Sequence, residues 1–167
     1  MKCTLRAWRP EDAADLSKAL SNKAVQDKLR DGIPFPYSVS DAEEYITAML
    51  ESDPNETFAF AITVNDCAVG SIGAFRGSNI HHQTAELGYY LAEEYWNQGI
   101  VTDAVRQLTD YLFTHTDLLR LFATPFSDNS GSCRVLEKAG FQWEGTMRRH
   151  AVKNGVVRDM KLYAIVR

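Results

Sequence analysis

The stretch Leu91-Ala-Glu-Glu-Tyr-Trp-Asn-Gln-Gly-Ile-Val-Thr-Asp-Ala104 joins an apolar segment to an amphipathic one through a short polar turn. Apolar residues before it predict a strand over 84–92, and apolar residues at helical spacing after it predict a helix over 100–115. The first N–H groups of such a helix have no partner inside the helix, and the aligned peptide dipoles make that end positive. A phosphate or pyrophosphate would fit there, and Gly99 would let the backbone approach it closely. On spacing alone, a routine strand-to-helix connection containing a glycine is the preferred interpretation.

The segments around this stretch predict a mixed α/β chain with seven strands. The pairs Asn65-Asp66 and Asn154-Gly155 each separate two strand-like runs, and Asn-Gly is a strong signal for a tight hairpin turn. The unit over 84–125 predicts two parallel strands joined by a right-handed helical connection. The other strands should be mainly antiparallel, because helices and strands do not alternate regularly along the chain. The predicted strands are 3–8, 57–64, 67–75, 84–92, 119–125, 141–152 and 156–166.

Three further regions predict helices. Pro10 followed by two acids is typical of a helix start, and a broken helical region should run from there to about residue 30. The run Ser40-Asp41-Ala42-Glu43 predicts a capping box at the start of the next helix. A short helix should cover 132–139, with Gly140 as its C-terminal stop.

Composition limits the class of protein. The chain has 167 residues, of which 45% are hydrophobic and 24% charged, as expected of one globular domain over 1–167. Its apolar runs are too short to span a bilayer. The net charge of −4 disfavours broad, sequence-independent binding to nucleic acid. We therefore expect neither a membrane nor a nucleic-acid partner.

The cysteines indicate no special chemistry. Cys3, Cys67 and Cys133 are odd in number and widely spaced, which favours neither a disulfide framework nor a metal site. They are interpreted as small buried hydrophobic residues. The first residues lack the apolar stretch of a signal peptide, so a cytoplasmic location without bound metal is expected.

Three ordered blocks carry a family resemblance. Trp96-Asn97-Gln98-Gly99-Ile100-Val101 resembles the acyl-coenzyme A pyrophosphate loop of the GNAT superfamily, whose pattern is Gln/Arg-x-x-Gly-x-Gly/Ala. Trp96 in the first place resembles the RimJ/RimL branch, and Val101 departs from the usual Gly or Ala. Residues 129–141, Asn-Ser-Gly-Ser-Cys-Arg-Val-Leu-Glu-Lys-Ala-Gly-Phe, resemble the Asn-x-x-Ser-x-Arg-Val-Leu-Glu-Lys-x-Gly-Phe block of its RimJ/RimL branch. The third block is Glu86-Leu-Gly-Tyr-Tyr-Leu91. Leu5-Arg6 and the segment 159–163 also fit, so the resemblance spans nearly the whole chain.

The resemblance implies both a fold and an activity. The GNAT fold has a central, mostly antiparallel seven-stranded sheet flanked by helices, with one parallel strand pair splayed around the cofactor. The implied reaction moves an acetyl group from acetyl-CoA to a primary amine, either a protein N-terminal α-amine or a small amine. The alternative is a non-catalytic GNAT-like module that binds acyl-CoA or acts as a sensor. The implied cofactor-binding residues are Tyr90, Leu91, Ala92, Asn97, Gln98, Gly99, Ile100, Val101, Thr102 and Asn129.

Two residues are candidates for proton transfer. Glu86 lies in an otherwise apolar strand, which favours a general base, although a structural ion-pair partner is equally compatible. The resemblance offers Ser132 as the proton donor to the departing thiolate, and a helix-capping hydroxyl is its alternative role. Many GNAT enzymes carry a tyrosine seven residues after the asparagine, where this chain has Leu136.

The acceptor side is only weakly encoded. Phe35 and Tyr37 lie in a proline-flanked loop between the early helices, and in the family this loop lines the acceptor groove. Aromatic residues between prolines would equally form a lid packed on the core. The chain is expected to act as a monomer or as a homodimer.

Overall fold

The structure is a computed structural model that describes residues 2–167. Across those residues seven strands form one sheet in the order β1-β2-β3-β4-β5-β7-β6, in which β4 and β5 make the single parallel pair. The predicted GNAT-type fold is confirmed. The strands are β1 Thr4–Arg6, β2 Thr57–Val64, β3 Cys67–Arg76, β4 Thr84–Leu91, β5 Arg120–Ala123, β6 Gln142–Lys153 and β7 Val156–Val166. The helices are α1 Ala13–Leu20, α2 Lys23–Gln26, α3 Val39–Glu51, α4 Ile100–His115 and α5 Ser130–Lys138.

Apolar residues on alternate positions of the central strands bury both faces of the sheet. Ile62 of β2 packs with α4 and α5, whereas its neighbour Ala61 packs with α1 and α3. Successive side chains of a strand point to opposite faces, so one strand contributes to both cores. Burying a large aliphatic side chain such as Leu108 or Leu112 of α4 contributes roughly 1.5–3 kcal/mol, which holds α4 firmly against the sheet.

Local turn chemistry explains the hairpins. Asn65 and Asp66 have φ of 51° and 64°, and Asn154 and Gly155 have φ of 51° and 75°. Positive φ at both central residues is the geometry of a type I′ turn, whose twist matches that of the flanking strands. Both predicted hairpins are confirmed.

The start of α3 differs from the prediction. The capping residue is Ser38, whose Oγ accepts a hydrogen bond from the Asp41 N–H at 3.0 Å, while the Asp41 carboxylate accepts one from the Ser38 N–H at 2.9 Å. The predicted box at Ser40 was therefore wrong by two residues. A serine at either position has an acidic residue three places later, so spacing alone does not separate them.

The parallel pair separates soon after it forms. Its register runs from Thr84 opposite Arg120 to Glu86 opposite Phe122, whereas β4 continues to Leu91 beside β3. The C-terminal half of β4 therefore borders a gap on the β5 side. The N-termini of α4 and α5, which follow β4 and β5, lie at the same end of the sheet.

Candidate active site

The turn after β4 is braced against the strand. The Trp96 indole N–H donates to the Leu91 carbonyl at 2.8 Å. Gly99 precedes α4 with φ of 78°, a left-handed value that favours glycine. The first helical bond of α4 runs from the Asp103 N–H to the Gly99 carbonyl at 3.1 Å. The preceding N–H groups, those of residues 100–102, are the ones that the helix itself cannot satisfy.

The side chains of Asn97 and Gln98 in this turn are exposed, whereas two side chains of the first turn of α4 face inward. Ile100 is 1% exposed and Thr102 is 9% exposed. The Gln98 side chain donates to the Glu94 carbonyl at 3.0 Å. The start of α4 therefore offers an anion the backbone N–H groups of residues 100–102 and the positive end of a 16-residue helix.

Across the gap, α5 begins two residues earlier than predicted, at Ser130. The Asn129 side-chain oxygen accepts a hydrogen bond from the Ser132 N–H at 3.2 Å and so caps the helix. Capping uses only the side-chain oxygen of Asn129. The two N–H donors of the same amide can therefore bind a second group. The Ser132 Oγ lies 2.6 Å from the Tyr89 hydroxyl of β4.

A cavity of about 270 Å³ opens beside the start of α5. Asn129 and Gly131 line one side, and Lys28, two residues beyond α2, lines the other. The Lys28 ammonium also lies 4.2 Å from the centre of the Trp96 ring. The cavity thus lies between the segment after α2 and the cap of α5, and Lys28, at its edge, also contacts the turn before α4.

Glu86 is partly exposed and paired with a cation. Its carboxylate accepts a hydrogen bond from the Arg30 guanidinium, and its side chain is 31% exposed against 73% for that of Arg30. The neighbouring Asp31 pairs with Lys153 at 2.8 Å, and the Lys153 side chain is only 9% exposed. Residues 28–31 therefore contact the turn before α4, strand β4 and the end of β6.

The two aromatic residues predicted on the acceptor side have different environments. Phe35 is 57% exposed, whereas Tyr37 is 6% exposed and packs in the core formed with α1 and α3. The Tyr37 carbonyl accepts hydrogen bonds from the Ser17 and Ser21 hydroxyls, each at 2.7 Å. Tyr37 therefore holds the loop against the core. Phe35 has an exposed ring that an acceptor could contact.

Comparison with known proteins decides the family. The model of the acetyltransferase (GNAT) domain matches residues 2–142. The probable N-acetyltransferase YjcK of Bacillus subtilis is 34% identical across 95% of this chain and 92% of its own length. The chain belongs to the GNAT acetyltransferase family. The predicted acetyl-CoA-dependent N-acetyltransferase is confirmed at this level.

Other GNAT relatives support the suspected branch. The ribosomal-protein-serine acetyltransferase of Escherichia coli is 31% identical over 63% of this chain and 58% of its own length. The structure of Mycobacterium smegmatis RimJ in complex with CoA-disulfide superimposes with a TM-score of 0.86 at 26% identity, covering 97% of this chain and 80% of that one. The resemblance to the RimJ/RimL branch is therefore confirmed.

The structure gathers most of the predicted site residues around one gap, where β4, the turn 97–99, α4 and α5 meet. Sequence reasoning missed Arg30, Lys28 and Tyr89. For Tyr89 a signal was present, since strand alternation puts it on the face opposite Glu86, toward α5. Arg30 and Lys28 carry no such signal, because their partners are distant in sequence.

The described residues also bear on thiol, membrane and metal chemistry. Cys133 is buried, but Cys3 is half-buried and Cys67 is exposed, so the prediction of buried thiols was wrong for Cys67. No helix within residues 2–167 is long and apolar enough to cross a membrane. Over the same range, no three His, Cys, Asp or Glu side chains are grouped so that they could hold a metal ion.

Proposed function

We propose that this GNAT enzyme acetylates a protein N-terminal α-amine or a small amine, with acetyl-CoA held in the gap between β4 and β5 and the acceptor beside Glu86. The observation that carries the proposal is the end of the parallel register at Glu86 and Phe122. Glu86, the candidate base, lies where the gap between the two strands begins. The N-termini of α4 and α5 lie at its open end.

The cofactor is held locally in this account. Coenzyme A is polyanionic and the protein has a net charge of −4, so the overall field does not attract it. The backbone N–H groups of residues 97–102 and the α4 dipole bind the pyrophosphate. Val101, at the position of the usual Gly or Ala, narrows the space beside it.

The pantetheine arm pairs with β4 over Tyr90, Leu91 and Ala92. The Ala92 N–H donates to the Val69 carbonyl of β3 at 2.8 Å. Because backbone groups alternate along a strand, those of Leu91 and Tyr89 are directed toward the gap instead. Leu91 is therefore the main partner within the predicted segment, and the Asn129 amide contacts the arm from the other side.

The reaction moves one proton from nitrogen to sulfur. Glu86 takes a proton from the acceptor amine, directly or through water, and the amine forms a C–N bond to the acetyl carbon. The C–S bond breaks, its electron pair stays on sulfur, and sulfur takes the proton of the Ser132 hydroxyl. Glu86 then releases its proton to water and Ser132 regains one from water. The net products are the acetylated amine and the CoA thiol.

An α-amine is the favoured acceptor for chemical reasons. Its pKa is about 7.8 against about 10.4 for lysine, so at neutral pH roughly 300 times more of it is in the reactive neutral form. An acceptor of lower pKa needs less help from a base, which suits a site with one partly exposed carboxylate. The E. coli relative is named a ribosomal-protein-serine acetyltransferase, which supports a protein as the acceptor.

The wider setting is also part of the proposal. We propose one acetyltransferase domain over 1–167, a cytoplasmic monomer or homodimer, without metal and without nucleic-acid or membrane partners. Phe35 and Tyr37 are assigned to the acceptor side, Phe35 as a contact and Tyr37 as the residue that positions the loop.

Release of CoA thiol from acetyl-CoA tests the function directly. The panel contains peptides with varied free N-termini, the same peptides with blocked N-termini, and small di- and polyamines. Turnover with free N-termini or small amines supports the proposal. Thermal stabilisation by acetyl-CoA without turnover of any acceptor would instead indicate the non-catalytic, acyl-CoA-binding module.

A further inference from the structure

The hydroxyl of a partly buried tyrosine contacts the proposed proton donor. Tyr89 lies on the part of β4 that extends beyond the β5 register, and its hydroxyl is 2.6 Å from the Ser132 Oγ and 3.4 Å from the Ser132 carbonyl. This contact joins β4 to α5 across the gap assigned to the cofactor. Leu136, one turn further along α5, is fully buried and carries no hydroxyl. The phenol in contact with Ser132 therefore belongs to strand β4 and not to α5.

The direction of this hydrogen bond decides what Ser132 can do. If Ser132 donated to Tyr89, its single proton would point away from the gap, and the Tyr89 proton would be left with the carbonyl at 3.4 Å. If Tyr89 donates to the Ser132 Oγ, the phenol proton lies in the 2.6 Å contact. Both arrangements keep the 2.6 Å bond, but the first leaves the phenol proton in a contact near the long limit for a hydrogen bond, so the second is preferred. In that arrangement the Ser132 proton is free to face the gap.

We infer that Tyr89 is a positioning residue that donates to the Ser132 Oγ, fixes the rotamer of this hydroxyl and directs its proton toward the thioester sulfur. The inference rests on the proposed role of Ser132. Tyr89 keeps its own proton throughout. When Ser132 gives its proton to sulfur, the Tyr89 hydrogen bond stabilises the negative charge that develops on the Ser132 oxygen.

The environment of Tyr89 suits a permanent donor. Burial raises the pKa of its phenol to about 12, although the hydrogen bond with Ser132 acts in the opposite direction. At neutral pH the hydroxyl therefore remains protonated. A tyrosinate could only accept a hydrogen bond, which would turn the Ser132 proton away from the gap.

The kinetic test compares Tyr89→Phe, Ser132→Ala and the double variant with the wild type. One hydrogen bond of this kind changes a rate by roughly 3- to 10-fold, so kcat should fall by that factor in Tyr89→Phe with little change in KM for the acceptor. In a protein that already carries Ser132→Ala, adding Tyr89→Phe should not lower kcat further. An equal loss in both backgrounds, or an unchanged kcat in Tyr89→Phe, would overturn the inference.

Tyr163→Phe is the matched control. The Tyr163 hydroxyl donates to the Glu137 carboxylate at 2.8 Å, so this variant also removes a buried phenol hydrogen bond to α5. It should lose stability as Tyr89→Phe does, yet keep kcat. A comparable kcat loss in this control would assign the Tyr89 effect to helix packing and contradict the inference.

A binding measurement separates this inference from the proposed function. Calorimetry compares CoA with desulfo-CoA, which lacks the sulfur. The wild type should prefer CoA, and both Ser132→Ala and Tyr89→Phe should reduce that preference. Equal preference in the wild type and in Tyr89→Phe would overturn the role of Tyr89 even if acetylation proceeds. Failure of the wild type to bind either ligand would overturn both proposals.

Discussion

At the scale of single residues, the central choice concerns whether Glu86 is a base or only a salt-bridge partner. The carboxylate is paired with Arg30, which the structural alternative requires, yet both side chains reach solvent. An ion pair this exposed contributes little to stability, about 0–1 kcal/mol. The pair alone therefore gives little reason for an acid inside an apolar strand, and the base role accounts for it better.

Glu86→Gln tests the base. The amide keeps the size of the side chain and much of its hydrogen bonding but cannot take a proton, so kcat/KM should fall by roughly 10²–10⁴-fold near neutral pH. The loss should shrink as the pH rises, because more of the acceptor amine is then neutral before it binds. Steady-state rates across pH check this. If Glu86→Gln and the wild type had the same pH–rate profile, in both shape and height, Glu86 would not be the base.

Arg30→Gln tests whether the ion pair competes with the acceptor. An acceptor ammonium must displace the Arg30 guanidinium from Glu86 before it can give up a proton there. Because a surface pair contributes up to about 1 kcal/mol, its removal should lower KM for the acceptor by roughly two- to fivefold and leave kcat unchanged. Lys23→Gln is the control, since it breaks an exposed pair with Asp27 nearby. A fall in kcat would show instead that Arg30 assists the reaction.

At the scale of elements, the turn between β4 and α4 carries the cofactor assignment. Gly99→Val places a β-branched residue at φ of 78° and adds bulk where the pyrophosphate would approach. In the wild type, acetyl-CoA at 100 times its Kd should raise the free energy of unfolding by about 2.7 kcal/mol. Most of that gain should be lost in the variant, as measured by thermal melts with and without the ligand.

Gly155→Val is the control that distinguishes backbone strain from loss of acetyl-CoA binding in Gly99→Val. Gly155 has φ of 75° in the β6–β7 turn, and a Cβ there meets no atom within 4 Å. The backbone cost should therefore resemble that of Gly99→Val, while the stabilisation by acetyl-CoA persists. An equal loss of the stabilisation by acetyl-CoA in both variants would contradict the assignment of the cofactor to the turn before α4.

Elements were more predictable than the contacts between them. The predicted bounds of α4, 100–115, match the observed helix because its apolar face repeats over four turns and Gly99 marks its start. The parallel pairing of β4 and β5 followed from the helix that connects them. By contrast, the pairing of Arg30 with Glu86 joins residues 56 positions apart, and no local pattern encodes it. The contact between Tyr89 and Ser132 likewise required the position of α5 relative to β4.

At the scale of the whole molecule, buried tyrosines couple the fold to alkaline pH. Burial raises the pKa of Tyr37 and of Tyr89 to about 12, and it also raises the pKa values of Tyr45, Tyr90 and Tyr163. In the unfolded chain tyrosine has a pKa of about 10. Below that pH both states are protonated, so this contribution to stability is fully present, and it is lost as the pH rises toward about 12.

Urea denaturation across alkaline pH measures this effect. The midpoint should hold steady up to a pH of about 9.5 and then fall, with tyrosinate absorbance appearing as the protein unfolds. Tyr89→Phe should weaken the dependence on pH. Full tyrosinate absorbance in a protein that is still folded near a pH of about 10.5 would contradict the burial of these phenols.

The central claim, that this site acetylates an α-amine, is tested most directly by one peptide that carries both a free N-terminus and an internal lysine. The peptide is incubated with acetyl-CoA and enzyme, and tandem mass spectrometry locates the acetyl group at early times. We expect acetyl on the N-terminal nitrogen, with the lysine untouched. Acetyl on the lysine in preference to the N-terminus would contradict it.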